Sequence, residues 1–251
     1  MANIIDDVYI TVSRITTLLK DEKDEKILGY GTGFFFSNKN KNLFLITNRH
    51  VIRDEKKNHF PNFIRLQLHT NPNDLKQNGT IDFQLYEGIK QLWVEINPSV
   101  DVVAIPLQLN ELQQLGFSIK AFNSKNFLPS NIKLRVGEDV LIIGYPLGIF
   151  YDDVNNLPTV RNGIIASAYP AHYRENPYFL VDARLHEGTS GSPVITKQQS
   201  SWQGTDGDTL LTVHQFFLLG INSATWPVPE NSEPLGLNIV YFSSIIEQLT
   251  N

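Results

Sequence analysis

Cysteine is absent from the 251 residues. That excludes disulfides and thiolate metal sites, leaves packing alone to hold the fold, and fits a reducing compartment. Positive charge is in short supply as well: 21 Lys and Arg against 26 Asp and Glu give a net charge of -5, which is no electrostatic footprint for nucleic acid. Long apolar runs are missing. The longest candidate, residues 140–150, is interrupted by Gly144, Pro146 and Gly148 and is too short to span a bilayer. Residues 1–7 are acidic where a secretory signal would be basic. A soluble, cytoplasmic protein without membrane or nucleic-acid partners is expected. What remains is ordinary globular material, 41% apolar and 19% charged, enough for one large all-β domain or two small ones.

Helical periodicity is scarce along the chain. Short β-patterned segments bounded by Gly, Pro and Asn predict strands near residues 8–15, 31–36, 43–47, 63–69, 81–86, 93–96 and 101–107. Residues 20–26 form a mixed-sign charge cluster that reads as a solvated hairpin loop. The alternation lapses over residues 108–130, where Asn110 and Gly116 bracket one short helix. It resumes with strands near residues 140–146, 161–168, 178–183, 210–221 and 237–241. Ser244 and Glu247 have capping-box spacing and predict a closing helix. The expected fold is all-β: two packed antiparallel β-barrels and a short C-terminal helix, with one barrel in residues 1–118 and the other in 119–251.

Three segments carry chemistry. Residues 188–193, Gly-Thr-Ser-Gly-Ser-Pro, place Ser190 between two glycines. A serine hydroxyl attacks a carbonyl only if a base takes its proton and donors receive the charge on the oxygen. Gly188 lets the backbone turn so that the amides of Gly188 and Ser190 can share one oxyanion. His50 lies at the exit of the strand at 43–47. Asp101 heads an otherwise apolar run, where a charge needs a partner: it is either a strand cap satisfied by backbone amides or the orienter of a histidine. His59, His69, His172 and His214 sit in polar loops or at strand ends and are assigned no catalytic part. His186, four residues before Ser190, is assigned a structural place or the edge of a substrate cleft.

With His50 in Thr47-Asn48-Arg49-His50-Val51, Asp101 in Asp101-Val102-Val103-Ala104 and Ser190 in residues 188–193, the chain resembles the chymotrypsin-like (trypsin-like) serine peptidases. Gly31-Thr32-Gly33-Phe34, Gly144-Tyr145-Pro146, Asp182-Ala183 and residues 220–224 add echoes that look closest to bacterial Deg/HtrA-type proteases, and Ser190-Gly191-Ser192-Pro193-Val194 is similar to bacterial glutamyl endopeptidases. The resemblance implies the two-barrel fold and a protein or peptide substrate, with no cofactor and no metal. It implies Ser190 as nucleophile, His50 as general base and acid, Asp101 as orienter, and an oxyanion hole from the amides of Gly188 and Ser190.

Departures from the pattern matter. Thr189 stands where trypsins activated by cleavage carry an aspartate, so the zymogen ion pair cannot form and the loop is preformed or ordered by a ligand or an activating protein partner. The substrate pocket is expected from Arg184, Leu185, His186, Asn222, Ser223, Ala224 and Leu237. An inward Arg184 would favour an acidic side chain, whereas an outward one leaves an apolar pocket, the preferred reading. A protease in the cytoplasm would harm its own cell unless its substrate range is narrow or its active form is induced, so a restricted range and a regulatory or defence role are expected. The alternative is a catalytically silent fold that binds a peptide or protein.

Overall fold

The computed structural model describes residues 7–227, 233 and 235–251. Strands dominate. The first half contributes β1 (Val12–Lys20), β2 (Glu25–Ser37), β3 (Leu43–Thr47), β4 (Phe63–His69), β5 (Asn78–Gln84), the two-residue β6 (Tyr86–Glu87), β7 (Lys90–Gln91) and β8 (Val94–Glu95), and β9 (Val103–Leu107). Two short helices join them, α1 (Arg49–Ile52) after β3 and α2 (Leu109–Gln114) after β9. The second half contributes β10 (Asp139–Gly144), β11 (Thr159–Ile165), β12 (Tyr178–Asp182), β13 (Pro193–Thr196), β14 (Gln199–Gln203), β15 (Thr209–Gln215), β16 (Leu218–Thr225) and β17 (Leu237–Phe242), and ends in α3 (Ser244–Thr250).

The antiparallel seven-stranded sheet of the first half runs β5-β4-β1-β2-β3-β9-β8, and β10-β11-β12-β17-β16-β13 closes into a six-stranded barrel. This is the all-β chymotrypsin-like architecture with its C-terminal helix. The alternating burial of β4, in which Ile64, Leu66 and Leu68 are buried, turns one face of that strand into the core of the first sheet. Three apolar clusters result. One fills the first sheet around Ile15, Leu45, Ile64 and Val103, and one fills the barrel around Val140, Phe179, Val194 and Val240. The third lies between the halves, joining Phe34, Phe36, Ile46 and Phe122 to Ile143, Tyr145, Leu218 and Ile246. Fully burying one such side chain contributes about 1.5–3 kcal/mol, so the cluster between the halves is a structural joint.

Several boundaries differ from expectation for local reasons. The residues at 210–221 form two strands, β15 and β16, separated by Phe216 and Phe217, and Gln199–Gln203 adds a strand where no alternation of apolar residues signals one. The charge cluster does form the expected exposed hairpin loop, residues 21–24 between β1 and β2, and the strand ends beside it are tied by ion pairs. Lys20 reaches Asp82 at 2.8 Å, and Arg65 spans Asp82 at 2.6 Å and Glu25 at 2.7 Å. The N-cap of α2 is Gln108 rather than Asn110, although Gly116 follows its C-cap in the left-handed conformation at φ 86. In α3 the N-cap is Ser243, without a side-chain cap bond. The Ser244–Glu247 capping box does not form, because Ser244 is already the first helical residue.

Candidate active site

Strand register brings the first two residues together. In the β3–β9 pair Thr47 faces Val103. The strands being antiparallel, the chain leaving Thr47 toward His50 and the chain entering Val103 from Asp101 emerge at the same end of the sheet. There α1 turns His50 back, and the completely buried Asn48 fixes the turn by donating its side-chain amide to the Asp101 carbonyl at 2.6 Å. Arg49 ties α1 to its surroundings through Glu55 at 2.7 Å and Glu95 at 3.1 Å. The Asp101 carboxylate then accepts the His50 backbone amide on Oδ1 at 2.9 Å and the His50 ring Nδ1 on Oδ2 at 2.6 Å. An ionised carboxylate only accepts, so the contact suits the neutral imidazole tautomer that has its proton on Nδ1 and its lone pair on Nε2. Both residues are part-buried, and the Asp101 carboxylate takes a backbone amide and the imidazole of the same residue at once.

The third residue comes from the barrel. Pro193 faces Ile221 in the β13–β16 pair, and the pairing continues outward through Asn222 N–H to Ser192 O and Gly191 N–H to Asn222 O, both 2.9 Å. This sets Ser190 beside Ser223. The Ser223 hydroxyl donates to Asp101 Oδ2 at 2.5 Å, while its carbonyl accepts the Ser190 hydroxyl at 3.0 Å. Ser223 thus joins Asp101 to Ser190, with its side chain on one and its carbonyl on the other. The Ser190 hydroxyl points to Ser223 and makes no hydrogen bond to His50 among the described residues. Ser190 and His50 nevertheless line one cleft of about 420 Å³, together with Tyr30, Lys57, His59 and Glu187.

The loop around Ser190 is held from several sides. Gly188 and Gly191 both take φ +87. A Cβ on Gly188 would lie 2.5 Å from the Tyr145 carbonyl oxygen, and one on Gly191 would lie 2.0 Å from that of Thr32, so neither position admits a side chain. Thr32 clamps the loop with two bonds. Its amide donates to Ser190 O at 2.9 Å and its hydroxyl to Gly188 O at 2.7 Å, the same hydroxyl accepting the Tyr145 amide at 3.0 Å. Thr189 is buried, its hydroxyl donating to His186 O at 2.6 Å and its carbonyl accepting the Asn222 side-chain amide at 3.0 Å. The amides of Gly188 and Ser190 have no acceptor among the described residues. Tyr145, entirely buried behind the loop, has its phenol pushed well above the ordinary tyrosine range by desolvation.

The remaining candidates lie on or beside the adjoining strands β12, β17 and β16 and differ in exposure. Arg184 is exposed, with its carbonyl taken by Arg161 at 3.0 Å. Leu185 packs on the barrel core, and Asn222 is buried with its amide spent on Thr189. Ala224 is exposed and Leu237 half-buried. His186 is exposed and lines a second cavity of about 730 Å³ with Leu147 and Phe150, apart from the cleft that holds Ser190. His69 bonds the Asn155 carbonyl at 2.8 Å and His172 stacks on Phe242, both structural places. His59, assigned to a polar loop, bonds the Val51 carbonyl at 2.9 Å and edges the cleft. The side chain of His214 lies outside the described residues. Sequence reasoning missed Thr32 as a site residue, though the Gly31-Thr32-Gly33 echo was its available signal. Among the described residues no three potential ligands gather to hold a metal, and no helix is long and apolar enough to cross a membrane.

A seven-stranded sheet and a closed barrel, with a His–Asp pair and a glycine-flanked serine meeting between them, define the class of chymotrypsin-like serine peptidases. Within that class the chain belongs to the family of the trypsin-like peptidase domain, whose model matches residues 31–203. No curated protein matches the chain. Members of a peptidase-domain family take protein or peptide substrates, and the match includes the segments of His50, Asp101 and Ser190 alike.

Proposed function

We propose that the protein is a serine endopeptidase whose working residues are Ser190, His50 and Asp101, with the N-terminal unit (1–118) supplying base and orienter and the C-terminal unit (119–251) supplying the nucleophile. The observation that carries this reading is the Nδ1–carboxylate contact of 2.6 Å, which leaves Nε2 of His50 basic in the cleft that it shares with Ser190.

In the reaction, the Ser190 hydroxyl turns from the Ser223 carbonyl to Nε2 and gives up its proton as its oxygen adds to the scissile carbonyl. The negative charge on the carbonyl oxygen falls to the free amides of Gly188 and Ser190. Each oxyanion donor of this kind contributes about 3–4 kcal/mol. The imidazolium, steadied by Asp101, protonates the leaving amine. Water then enters and adds to the acyl carbon as Nε2 takes its proton; the C–O bond to Ser190 breaks, the imidazolium returns the proton to the Ser190 oxygen, and the acyl group leaves as a carboxylic acid.

The outward Arg184 supports a preference for small or medium aliphatic side chains on the acyl side of the cut. We also infer an intracellular enzyme of restricted range, with a regulatory or defence role. A fluorophosphonate probe on the purified protein tests the central claim: labelling lost in Ser190→Ala is expected, and labelling that survives this change overturns it. If neither form labels, the fold is a silent binding module. A peptide library that shows cleavage after Lys or Arg would refute the pocket assignment, and indiscriminate digestion of casein would refute the restricted range.

A further inference from the structure

We propose that Arg14 is a positioning residue for the oxyanion hole, holding the turn at residues 145–148 that fixes the orientation of the Glu187–Gly188 peptide. The role of that hole rests on the peptidase reading above, whereas the hydrogen-bonded strap from Arg14 to the peptide does not.

In a trans peptide the C=O and the following N–H point in opposite directions. The Glu187 carbonyl accepts the Leu147 amide at 2.6 Å. With that oxygen held, the Gly188 N–H must point the other way, and it is the amide that the oxyanion needs. A half-turn of this peptide would put a carbonyl oxygen where a donor is required. Glycine at 188 makes such a half-turn sterically easy, and with Thr189 in the next position no buried carboxylate is there to draw the loop into place. The Leu147 amide is therefore the group that selects the orientation.

That amide is available only because Leu147 adopts φ 52, ψ 11 and Gly148 follows at φ 66. Two successive left-handed residues are a disfavoured choice when the first is a leucine, so something outside the turn must hold it. Arg14 does so from β1. Its Nη1 donates to the Gly148 carbonyl at 3.0 Å, and its Nη2 is steadied by Gln67 Oε1 at 3.1 Å. The guanidinium lies 4.9 Å from the ring centroid of Tyr151 and 5.8 Å from that of Tyr30, the stacking for which an arginine is suited. Gly148 in turn sits so close to Tyr30 that a Cβ would lie 2.3 Å from the ring. Arg14 also stands opposite Thr32 in the β1–β2 register, and Thr32 holds the Gly188 carbonyl. One cross-strand pair of the first sheet thus secures two successive peptides of a loop that belongs to the barrel.

The test uses the full chain with Arg14→Met, which keeps the aliphatic stem and removes the donors, and Arg14→Lys, which restores one. The first readout needs no activity: scalar coupling through the hydrogen bond from the Leu147 nitrogen to the Glu187 carbonyl carbon, with hydrogen exchange at the Leu147 amide. In Arg14→Met the coupling is expected to vanish and exchange to quicken about 10-fold, with Arg14→Lys close to wild type. The second readout is kinetic. Arg14→Met should lower kcat about 10-fold with KM nearly unchanged, and weaken a peptide-aldehyde inhibitor by the same factor, because only the competent fraction receives the oxyanion. A merely structural arginine would lower Tm without this matched loss. Unchanged coupling in Arg14→Met overturns the strap, and lost coupling with unaltered kcat overturns its role in positioning. A coupling that responds to Arg14 in a wild-type protein that neither labels nor cleaves would support the strap and overturn the peptidase reading.

Discussion

The Ser190 hydroxyl donates to the Ser223 carbonyl at 3.0 Å, while the hydroxyl of Ser223 donates to Asp101 at 2.5 Å. One residue of β16 therefore touches the nucleophile with its backbone and the orienting carboxylate with its side chain. The two contacts separate cleanly by mutation. Ser223→Ala keeps the carbonyl and loses only the bond to Asp101, a hydrogen bond to a charged group that contributes about 1.5–3 kcal/mol. The expected outcome is a fall in kcat/KM of roughly 10-fold or more with fluorophosphonate labelling still complete, measured by progress curves on a peptide ester. Loss of labelling would show that Ser223 does more than steady Asp101.

Asp101→Asn should be far more damaging. An amide in place of the carboxylate can present a donor to Nδ1, shifting the proton of His50 to Nε2 and removing the lone pair that receives the Ser190 proton. A fall in kcat of about 10⁴-fold is expected, with the far-ultraviolet circular dichroism unchanged. A loss of only a few-fold would mean that His50 is not the base.

Thr32→Val removes the hydroxyl that bridges the Tyr145 amide and the Gly188 carbonyl while keeping nearly the same shape. Two buried backbone groups lose their partner, so stability should fall by about 1–3 kcal/mol. The kcat should fall as the loop loosens. Denaturant titration checks the first effect and steady-state kinetics the second. A stable variant with reduced kcat would place the role of Thr32 wholly in the loop.

Acid stability should depend on Asp82. The Arg65 guanidinium beside it, helped by Lys20, holds its carboxyl down at about 2 against the opposition of partial burial. A depressed folded-state value means that the ion pair stabilises the protein fully above the ordinary carboxylate range near pH 4, and that this contribution disappears as the pH falls toward about 2. Asp82→Asn should lower Tm at pH 7 by the equivalent of about 1 kcal/mol and flatten the dependence of Tm on pH below 4. Parallel melting curves for the two proteins between pH 2 and pH 7 provide the check.

The architecture was legible because period-two alternation survives in strands with one wet face, as in β4, where the apolar spacing alone marks out Phe63–His69. It was illegible in Gln199–Gln203, a mostly polar strand held extended by its pairing with β15 and by the burial of Trp202 in the barrel core. At the site, Ser190 and its glycines could be read directly, since a loop that must take φ +87 twice can use only glycine there. His50 and Asp101 could be picked out, one at a strand exit and one heading an apolar run, but nothing local shows that they touch. The β3–β9 register decides that.

The sequence by itself determined the residue types and the local conformations: a serine between glycines, an imidazole after a strand, a carboxylate with no local partner, and no cysteine to staple any of it. Only the tertiary structure decided which surfaces meet. It put the Ser223 hydroxyl on Asp101, the Ser190 hydroxyl on Ser223 and not on His50, and Arg14 against a turn 134 positions away. The physical reason is that these contacts cross from the first sheet to the barrel or from strand to strand. They are set by register and by the apolar cluster packed between the halves, and neither leaves a trace in the spacing of residues along the chain.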